Sequence, residues 1–339
     1  MEKQLKGYKK LKLEERDSLI DSKNLLGFSA QVDSTGLFFL LLANGIDFDI
    51  AIINYKTRKQ SFEEVKRAKK LAKKYNKKIF IKDAKEIQSN FEGEARSIRF
   101  SFFEELIKEY KYENLILANQ LNDKVEWILM QFAKGCGLGS LLGFESKSSR
   151  ENYKIIRPLI NIRKEEILKF LKKNKIKFFI DESNKSQKIK RNFFRKNYAN
   201  SLVSRFHLGI LKSIQYLQND FNSLYLENKH IKISNIYIFR FKLEFLNLHK
   251  IDKLCKILGY VISRKQREEI VKSKYSCTLA NRIILDSNEE YIFITTNENP
   301  LKHNKKFRNT LRINKIPPKI RPFVDSKVLE EIKIKLKDY

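Results

Sequence analysis

Four sets of polar residues in this chain have types and spacings that can do chemistry. The first is the loop Ser29-Ala30-Gln31-Val32-Asp33-Ser34, set between the apolar runs LLGF and LFFLLL. A loop that leads into a helix points backbone N–H groups and the positive end of the helix dipole at one spot, which suits a phosphate. Ser29 and Ser34 add hydroxyl donors, and Asp33 can hold the loop or approach a metal. An ordinary strand–helix corner with Ser or Asp as N-cap has the same composition. The second set is Asp123 and Glu126, whose i,i+3 spacing puts both carboxylates on one face of a helix. Together they suit Mg²⁺ or the ammonium of a small substrate, although the helix dipole alone favours acids in a first turn. The third set, Arg96 and Arg99, shares a helix face and either clamps a phosphate or forms a solvated ridge. The fourth, Arg191 and Arg195, is an i,i+4 pair if helical, again suited to an anion.

The elements that must position these residues follow from hydrophobic patterning. Strands are expected at LLGF, at Asp49–Asn54, and over residues 78–81, 115–118 and 178–180. Helices are expected after the loop and over 61–75, 94–110, 123–133 and 163–174, with Ser61 and Glu64 as a capping box. Strands alternating with helices predict an α/β fold: a Rossmann-like parallel sheet with helices on both faces. Ligands of such sheets bind beyond the carboxyl ends of the strands, where the loop after the first strand and the segment before Asp123 converge. Beyond about residue 198 the alternation stops. A smaller α-rich region with a small sheet is expected there, with helices over 202–226, 248–258 and 263–273. Its short strands are expected over 276–279, 283–285 and 291–295. The expected organisation is a basic lead-in over 1–23, helical over 11–21, an α/β domain over 24–197, an α-rich domain over 198–296 and a basic tail over 297–339.

Composition narrows the partners. Seventy Lys and Arg against 40 Asp and Glu give a formal charge of +30, which favours an anionic polymer. Part of that excess is solvated surface in a chain rich in Lys, Ile, Asn and Phe. The segment 163–196 is sharper, with thirteen Lys/Arg against four acids and interleaved Phe178, Phe179, Phe193 and Phe194. The glycine-rich run from Gly135 to Gly143 reads as backbone approaching something closely or as a plain loop. Cys136, Cys255 and Cys277 form no CxxC pair, which argues against disulfide frameworks and cysteine-rich metal sites. All four histidines follow residue 200, so a site in the first 200 residues works without imidazole. No apolar run reaches the ~20 residues needed to span a bilayer, and the N-terminus lacks a signal-peptide pattern, which predicts a cytosolic protein with no membrane partner.

In order, the chain carries FSAQVDS, AIINYKTR, EARSIRF, ANQLNDKVEWILMQFAKGCGLGSLLG, IIRPLINIRKEEI, FIDESN and KRNFFR. This series resembles the tRNA(Ile)-lysidine synthases of the N-type PP-loop ATPase superfamily, over roughly residues 24–197 and more weakly to about 295. The resemblance implies ATP and Mg²⁺ as cofactors, tRNA(Ile) with a CAU anticodon and free L-lysine as substrates, and a monomer or homodimer. It implies adenylation of the wobble cytidine followed by attack of the lysine ε-amine, which gives lysidine, AMP and pyrophosphate. By motif position, Ser29, Ala30, Gln31, Val32, Asp33 and Ser34 would hold ATP. Asp123 and Glu126 would position lysine or metal, with Mg²⁺ on Asp33 or Asp123. Arg96 and Arg99, and Arg191 and Arg195, would lie near cytidine, phosphate or lysine, and Asp181 and Asn184 would be supporting structure.

The chain departs from the family's SGGxDS loop, because Ala30 and Gln31 replace both glycines. A positive φ at either position costs about 1 kcal/mol or more. Tyr55, Asn119 and Gln120 stand where the family has histidines, and Asn122 stands where it has an acid. Two rival readings are a catalytically weak or inactive PP-loop protein that binds tRNA, and a tRNA thiolase, which the missing cysteine pair disfavours.

Overall fold

The computed structural model describes residues 11–56, 59–85, 87, 91–180, 190–225, 229–337 and 339. The chain divides into two compact units, Met1–Gln218 and Asn219–Tyr339. In the first, strands and helices alternate: β1 (Asn24–Gly27), α1 (Val32–Ala43), β2 (Asp49–Asn54), α2 (Lys59–Lys74), β3 (Ile79–Asp83), α3 (Phe91–Tyr110), β4 (Asn114–Ile116) and α4 (Leu121–Phe132). They are followed by α5 (Leu138–Leu141), β5 (Lys147–Ser149), β6 (Lys154–Ile156), α6 (Lys164–Lys173), α7 (Lys190–Phe194), a π-helical turn at Arg195–Ala199 and α8 (Asn200–Tyr225). The sheet order is β3-β2-β1-β4-β6-β5, parallel throughout except for the edge strand β5. Strand order reverses between β1 and β4, so a crevice opens beyond their carboxyl ends.

The strands are apolar runs because both faces are covered. Adjacent residues point to opposite faces. Leu26, Ile50, Ile116 and Ile156 pack under α1, α2 and α6, whereas Leu25, Ala51, Leu115 and Ile155 pack against Phe102, Phe103, Leu106 and Ile107 of α3. Helix α1 is buried almost all round. Its Gly36 lets α6 approach, since a Cβ there would lie 2.4 Å from Ile167 Cγ2. Gly36→Ala would push α6 away and, with it, Lys164 at its N-terminus.

Three sequence expectations in this unit are corrected. The helix expected over 11–21 is a set of turns with one 3₁₀ turn at Arg16–Ser18, because Glu15 and Asp21 both adopt φ 57°, which a helix cannot contain. Ser61 is not an N-cap: α2 already runs from Lys59, and Ser61 is buried within it while Gln60 Nε2 donates to Glu64 Oε1. The strand expected over 178–180 is reduced to a single bridge between Phe179 and Gln31, where the Phe179 amide donates to the Ala30 carbonyl. That segment pairs with the Ser29–Ser34 loop and not with a sheet strand. Asp181 and Asn184 lie outside the described residues.

The second unit is built on an antiparallel sheet, ordered β7 (Ile231–Ile233), β8 (Ile236–Arg240), β11 (Tyr291–Thr296), β10 (Ile283–Ser287) and β9 (Cys277–Leu279). One face packs with α9 (Glu244–Ile257) and α10 (Arg264–Lys272), and the other with α11 (Lys305–Ile313) and α12 (Ser326–Lys337). Tyr237 and Phe239 face the first core and Ile236 and Ile238 the second, again with the period of a strand. Strands β7 and β8 and helix α11 were not expected from the sequence. Among the described residues no helix is long and apolar enough to cross a membrane.

Candidate active site

The loop between β1 and α1 is tied down from both ends. Ser34 Oγ accepts from the Ser29 amide at 3.2 Å and lies 3.0 Å from Ser29 Oγ. Ala30, fully buried, adopts φ 58°, so the first position that lost a glycine is the one that needs a left-handed backbone. Gln31, the second, is ordinary extended backbone at φ −81° and serves as N-cap residue without a side-chain cap. The first-turn amides of α1 have no acceptor within the helix and face the crevice end of β1. Such an arrangement of backbone N–H groups suits an anion.

The carboxylates come from α4. Gln120 caps this helix: its side chain accepts from the Asn122 amide at 2.6 Å, and Asp123 Oδ2 accepts from the Gln120 amide at 3.2 Å. Asp123 and Glu126 then meet both arginines. Arg195 donates to Glu126 Oε2 at 2.6 Å and to Asp123 Oδ1 at 2.8 Å. Arg191 donates to Glu126 Oε1, and its Nη2 lies 3.6 Å from Asp123. Arg191 sits on α7 and Arg195 opens the π-helical turn, so the i,i+4 spacing brings both guanidinium groups to one carboxylate. Burial raises the Glu126 carboxyl above its usual range, and the charges of Arg195 and Arg191 oppose that shift.

Asp33 joins this cluster from α1. Burial raises its carboxyl to about 6; Lys164 pulls it down, the Asp123 charge pushes it up, and Arg195 pulls it down again. Lys164 Nζ stands 3.9 Å from Asp33 Oδ2, while the buried Asp33 Oδ1 has no hydrogen-bond partner. Three acids and three cations thus gather where β1 and β4 end. Among the described residues no cluster of three or more metal-ligating side chains forms a ready cage. A divalent ion would therefore take the free Asp33 oxygen or Asp123 and draw its other ligands from phosphate and water, as Mg²⁺ commonly does. The residues fit such an ion.

Arg96 and Arg99 lie elsewhere on this edge, on α3. Arg96 stacks on Phe100 at 4.7 Å, and the Arg99 charge acts on the Tyr55 hydroxyl, which donates to the Ala95 carbonyl at 3.0 Å. The exposed rings of Phe193 and Tyr198, 5.7 Å apart, stand beside the arginine pair as surfaces on which bases can stack. The glycine-rich run resolves into two uses: Gly135, at φ 70°, follows α4, and Gly143 backs onto the Trp127 indole.

Sequence reasoning passed over Lys164 here and met Asn122 only as a departure from the family's acid. Lys164 is the first residue of α6, where the helix dipole disfavours a cation, and that misplacement was a readable signal. Asn122 accepts from the Lys164 amide at 3.2 Å and donates to Asn200 Oδ1 at 2.9 Å, so it locks α4, α6 and α8 together.

A PP-loop domain model matches residues 3–202. A tRNA(Ile)-lysidine synthase of Helicobacter pylori is 44% identical over 316 residues, which span 93% of each chain. One from Campylobacter jejuni is 44% identical over 302 residues, 89% of this chain and 92% of that relative. One from Wolinella succinogenes is 42% identical over 314 residues, 92% and 96% of the two chains. In fold, the chain is similar to a U34-tRNA thiolase from Methanococcus maripaludis, with TM-score 0.51 and 18% identity over 63% of this chain and 78% of that one. Similar in sequence over most of its length to such relatives, and carrying the PP-loop domain in its first unit, the chain belongs to the tRNA(Ile)-lysidine synthase family.

Proposed function

We propose that this chain is an ATP-dependent ligase that converts the wobble cytidine of a CAU-anticodon tRNA(Ile) to lysidine. In the first step the C2 carbonyl oxygen of cytidine attacks the α-phosphate of ATP and pyrophosphate leaves. In the second the ε-amine of free L-lysine attacks C2 and AMP leaves, so a carbon–nitrogen bond replaces the carbon–oxygen bond. Codon reading shifts from AUG to AUA.

The observation that carries this reading is the convergence of a backbone anion site with Asp33, Asp123, Glu126, Arg191 and Arg195 on one sheet edge. The loop Ser29–Ser34 and the α1 amides hold the phosphates. Lys164, facing Asp33, is placed to follow the phosphate charge. Asp123 and Glu126 receive the lysine ammonium and take its proton, since only the neutral amine attacks. Arg191 and Arg195 fix those carboxylates and limit their charge before substrate arrives. Bound Mg²⁺ would neutralise phosphate charge beside Asp33 or Asp123. Arg96 and Arg99 contact the RNA. Such an enzyme works in the cytoplasm, as a monomer or homodimer.

The test is incorporation of labelled lysine into tRNA(Ile) bearing CAU, with ATP and Mg²⁺ and with the CAU-bearing methionine tRNA as control. Incorporation into the isoleucine tRNA alone, lost in Asp33→Asn and Asp123→Asn, is the expected result. Binding of tRNA without incorporation would replace this reading with that of an inactive binder.

A further inference from the structure

The segment that delivers Arg195 is wound differently from the α-helices on either side of it. Over Arg195–Ala199 the chain forms a π-helical turn, closed by the Asn200 amide donating to the Arg195 carbonyl. Ala199 and Val203 pack with Leu121 and Val125 of α4, so this line of side chains faces the helix that carries Asp123 and Glu126. In an unbroken α-helix Arg195 would stand roughly 80° off the Val203 line, at 3.6 residues per turn. A turn closed by i→i+5 bonds takes about one residue more and cancels most of that drift. The winding therefore decides whether Arg195 meets α4. As wound, Arg195 donates to Glu126 Oε2 at 2.6 Å and to Asp123 Oδ1 at 2.8 Å.

A π-helical turn is the rarer form and needs a hold from outside. The residue that closes it supplies one. Asn200 Oδ1 accepts from Asn122 Nδ2 at 2.9 Å, and Asn122 is the residue before Asp123. Asn122 is buried and itself fixed: its amide donates to Gln120 Oε1 at 2.6 Å, and its Oδ1 accepts from the Lys164 amide at 3.2 Å. The Asn122–Asn200 bond thus ties the point where the winding changes to the first turn of α4.

We propose that Asn200 is a positioning residue: through Asn122 it holds the π-helical register, and that register keeps Arg195 on Asp123 and Glu126. Asn200 acts through Arg195 and not on a substrate. With the tie cut, the segment is free to rewind as α-helix, which turns the Arg195 guanidinium away and leaves the buried Glu126 short of a partner. The consequence falls on the lysine side of the site, because Asp123 and Glu126 receive the ammonium. The Ser29–Ser34 loop and the Lys164 amide keep their own bonds. The effect on lysine rests on the reading of this chain as a lysidine synthase, whereas the control of Arg195 by Asn200 stands apart from it.

The test uses the full chain as wild type, Asn200→Ala and Asn200→Asp. Alanine removes the acceptor and favours the α-helix, and at this exposed position it should leave the fold intact. Aspartate keeps an oxygen for Asn122 Nδ2. Nitrogen-15 NMR of the arginine side chains follows the Arg195 Nε–H, assigned by its loss in Arg195→Lys. Bonded to Glu126, this N–H should exchange slowly with water in wild type and in Asn200→Asp, and roughly tenfold faster or more in Asn200→Ala. In lysine incorporation into tRNA(Ile) bearing CAU, kcat/KM for lysine should fall roughly tenfold in Asn200→Ala and recover in Asn200→Asp, with the KM for ATP unchanged in both. An Arg195 N–H that stays protected in Asn200→Ala would overturn the proposal. So would equal losses in both variants, or a KM for ATP that rises in step with the fall for lysine. Failure of the wild-type enzyme to incorporate lysine would strike the functional reading instead, and the Arg195 N–H would still decide the role of Asn200.

Discussion

Both units sandwich a sheet between helices, yet they bury charge in different ways. In the first, Glu126 is 2% exposed and its partner Arg195 only 18%. In the second, Asp252 on α9 is 9% exposed, but its partners Arg267 and Lys256 are 39% and 52% exposed. The difference follows from topology. Parallel strands all end on one edge, so the residues that follow β1, β4 and β6 are forced together and away from water. An antiparallel sheet sends alternate strand ends to opposite edges, and its buried acid is vented to solvent through a pair joining α9 to α10. The first arrangement holds unsatisfied potential for a ligand, whereas the second fastens two helices.

The largest expected effect breaks that contrast at its centre. Glu126→Ala leaves two guanidinium groups without their shared carboxylate in a desolvated pocket, which should cost about 3 kcal/mol or more. Asp252→Ala frees cations that solvent already reaches, and should cost about 1 kcal/mol. Urea unfolding of both variants measures the difference, and equal losses would mean that the two acids are held alike. Lysine incorporation should vanish in the first variant and persist in the second.

Next in size is Lys164→Met. Removing the cation 3.9 Å from Asp33 takes away the largest influence opposing burial, so the Asp33 carboxyl should rise above its value of about 6. Carbon-13 NMR of the carboxyl in the nucleotide-free protein reads that shift directly. If Lys164 follows the phosphates, the KM for ATP should rise roughly tenfold, as for loss of one charge-assisted bond. An unchanged KM with a raised Asp33 would leave Lys164 a partner of Asp33 alone.

The two units should also respond to pH with opposite signs. Asp33 has a folded value of about 6, above its unfolded 3.8. Its contribution to stability is fully present below 3.8 and is lost as pH rises through 6. His230 and His249 of the second unit are depressed from 6.5 to about 4 by burial and by neighbouring lysines. Their contribution is present above 6.5 and is lost as pH falls toward 4. Thermal unfolding of the full chain between pH 7 and 4 should therefore lose less stability in His230→Asn/His249→Gln and more in Asp33→Asn. The same sign in both variants would show that these groups do not govern the pH response.

Much of the first unit was legible because its strands, buried on both faces, are written as uninterrupted apolar runs. The expected strand over Asp49–Asn54 agrees with the structure residue for residue. Strands β7 and β8 were not legible: they are short and joined by two residues, Ser234 and Asn235, with Ser234 at φ 50°. That hairpin signal is weaker than one containing glycine. At the site, patterning put Asp123 and Glu126 on one helix face but said nothing of their partners. Arg191 and Arg195 lie 65 and 69 residues from Glu126, a separation that no local period reports. Only the order of motifs joined them.

The smallest expected effect concerns the two glycines that the loop has lost. Ala30 occupies φ 58° and Gln31 occupies φ −81°, so only the first position carries left-handed strain. Ala30→Gly relieves about 1 kcal/mol of that strain. It also frees the unfolded chain, by about 0.4–1 kcal/mol, and gives up a fully buried methyl, so net stability should move by less than about 1 kcal/mol. Gln31→Gly has no strain to relieve and should only destabilise. The backbone at Ala30 already holds the conformation a glycine would adopt, so Ala30→Gly should change the KM for ATP by less than about threefold. Urea midpoints and the ATP dependence of lysine incorporation for the two variants decide the matter. A gain at position 31 with a loss at position 30 would place the strained residue one step further along, and the first-turn amides of α1 would then point differently at the phosphate.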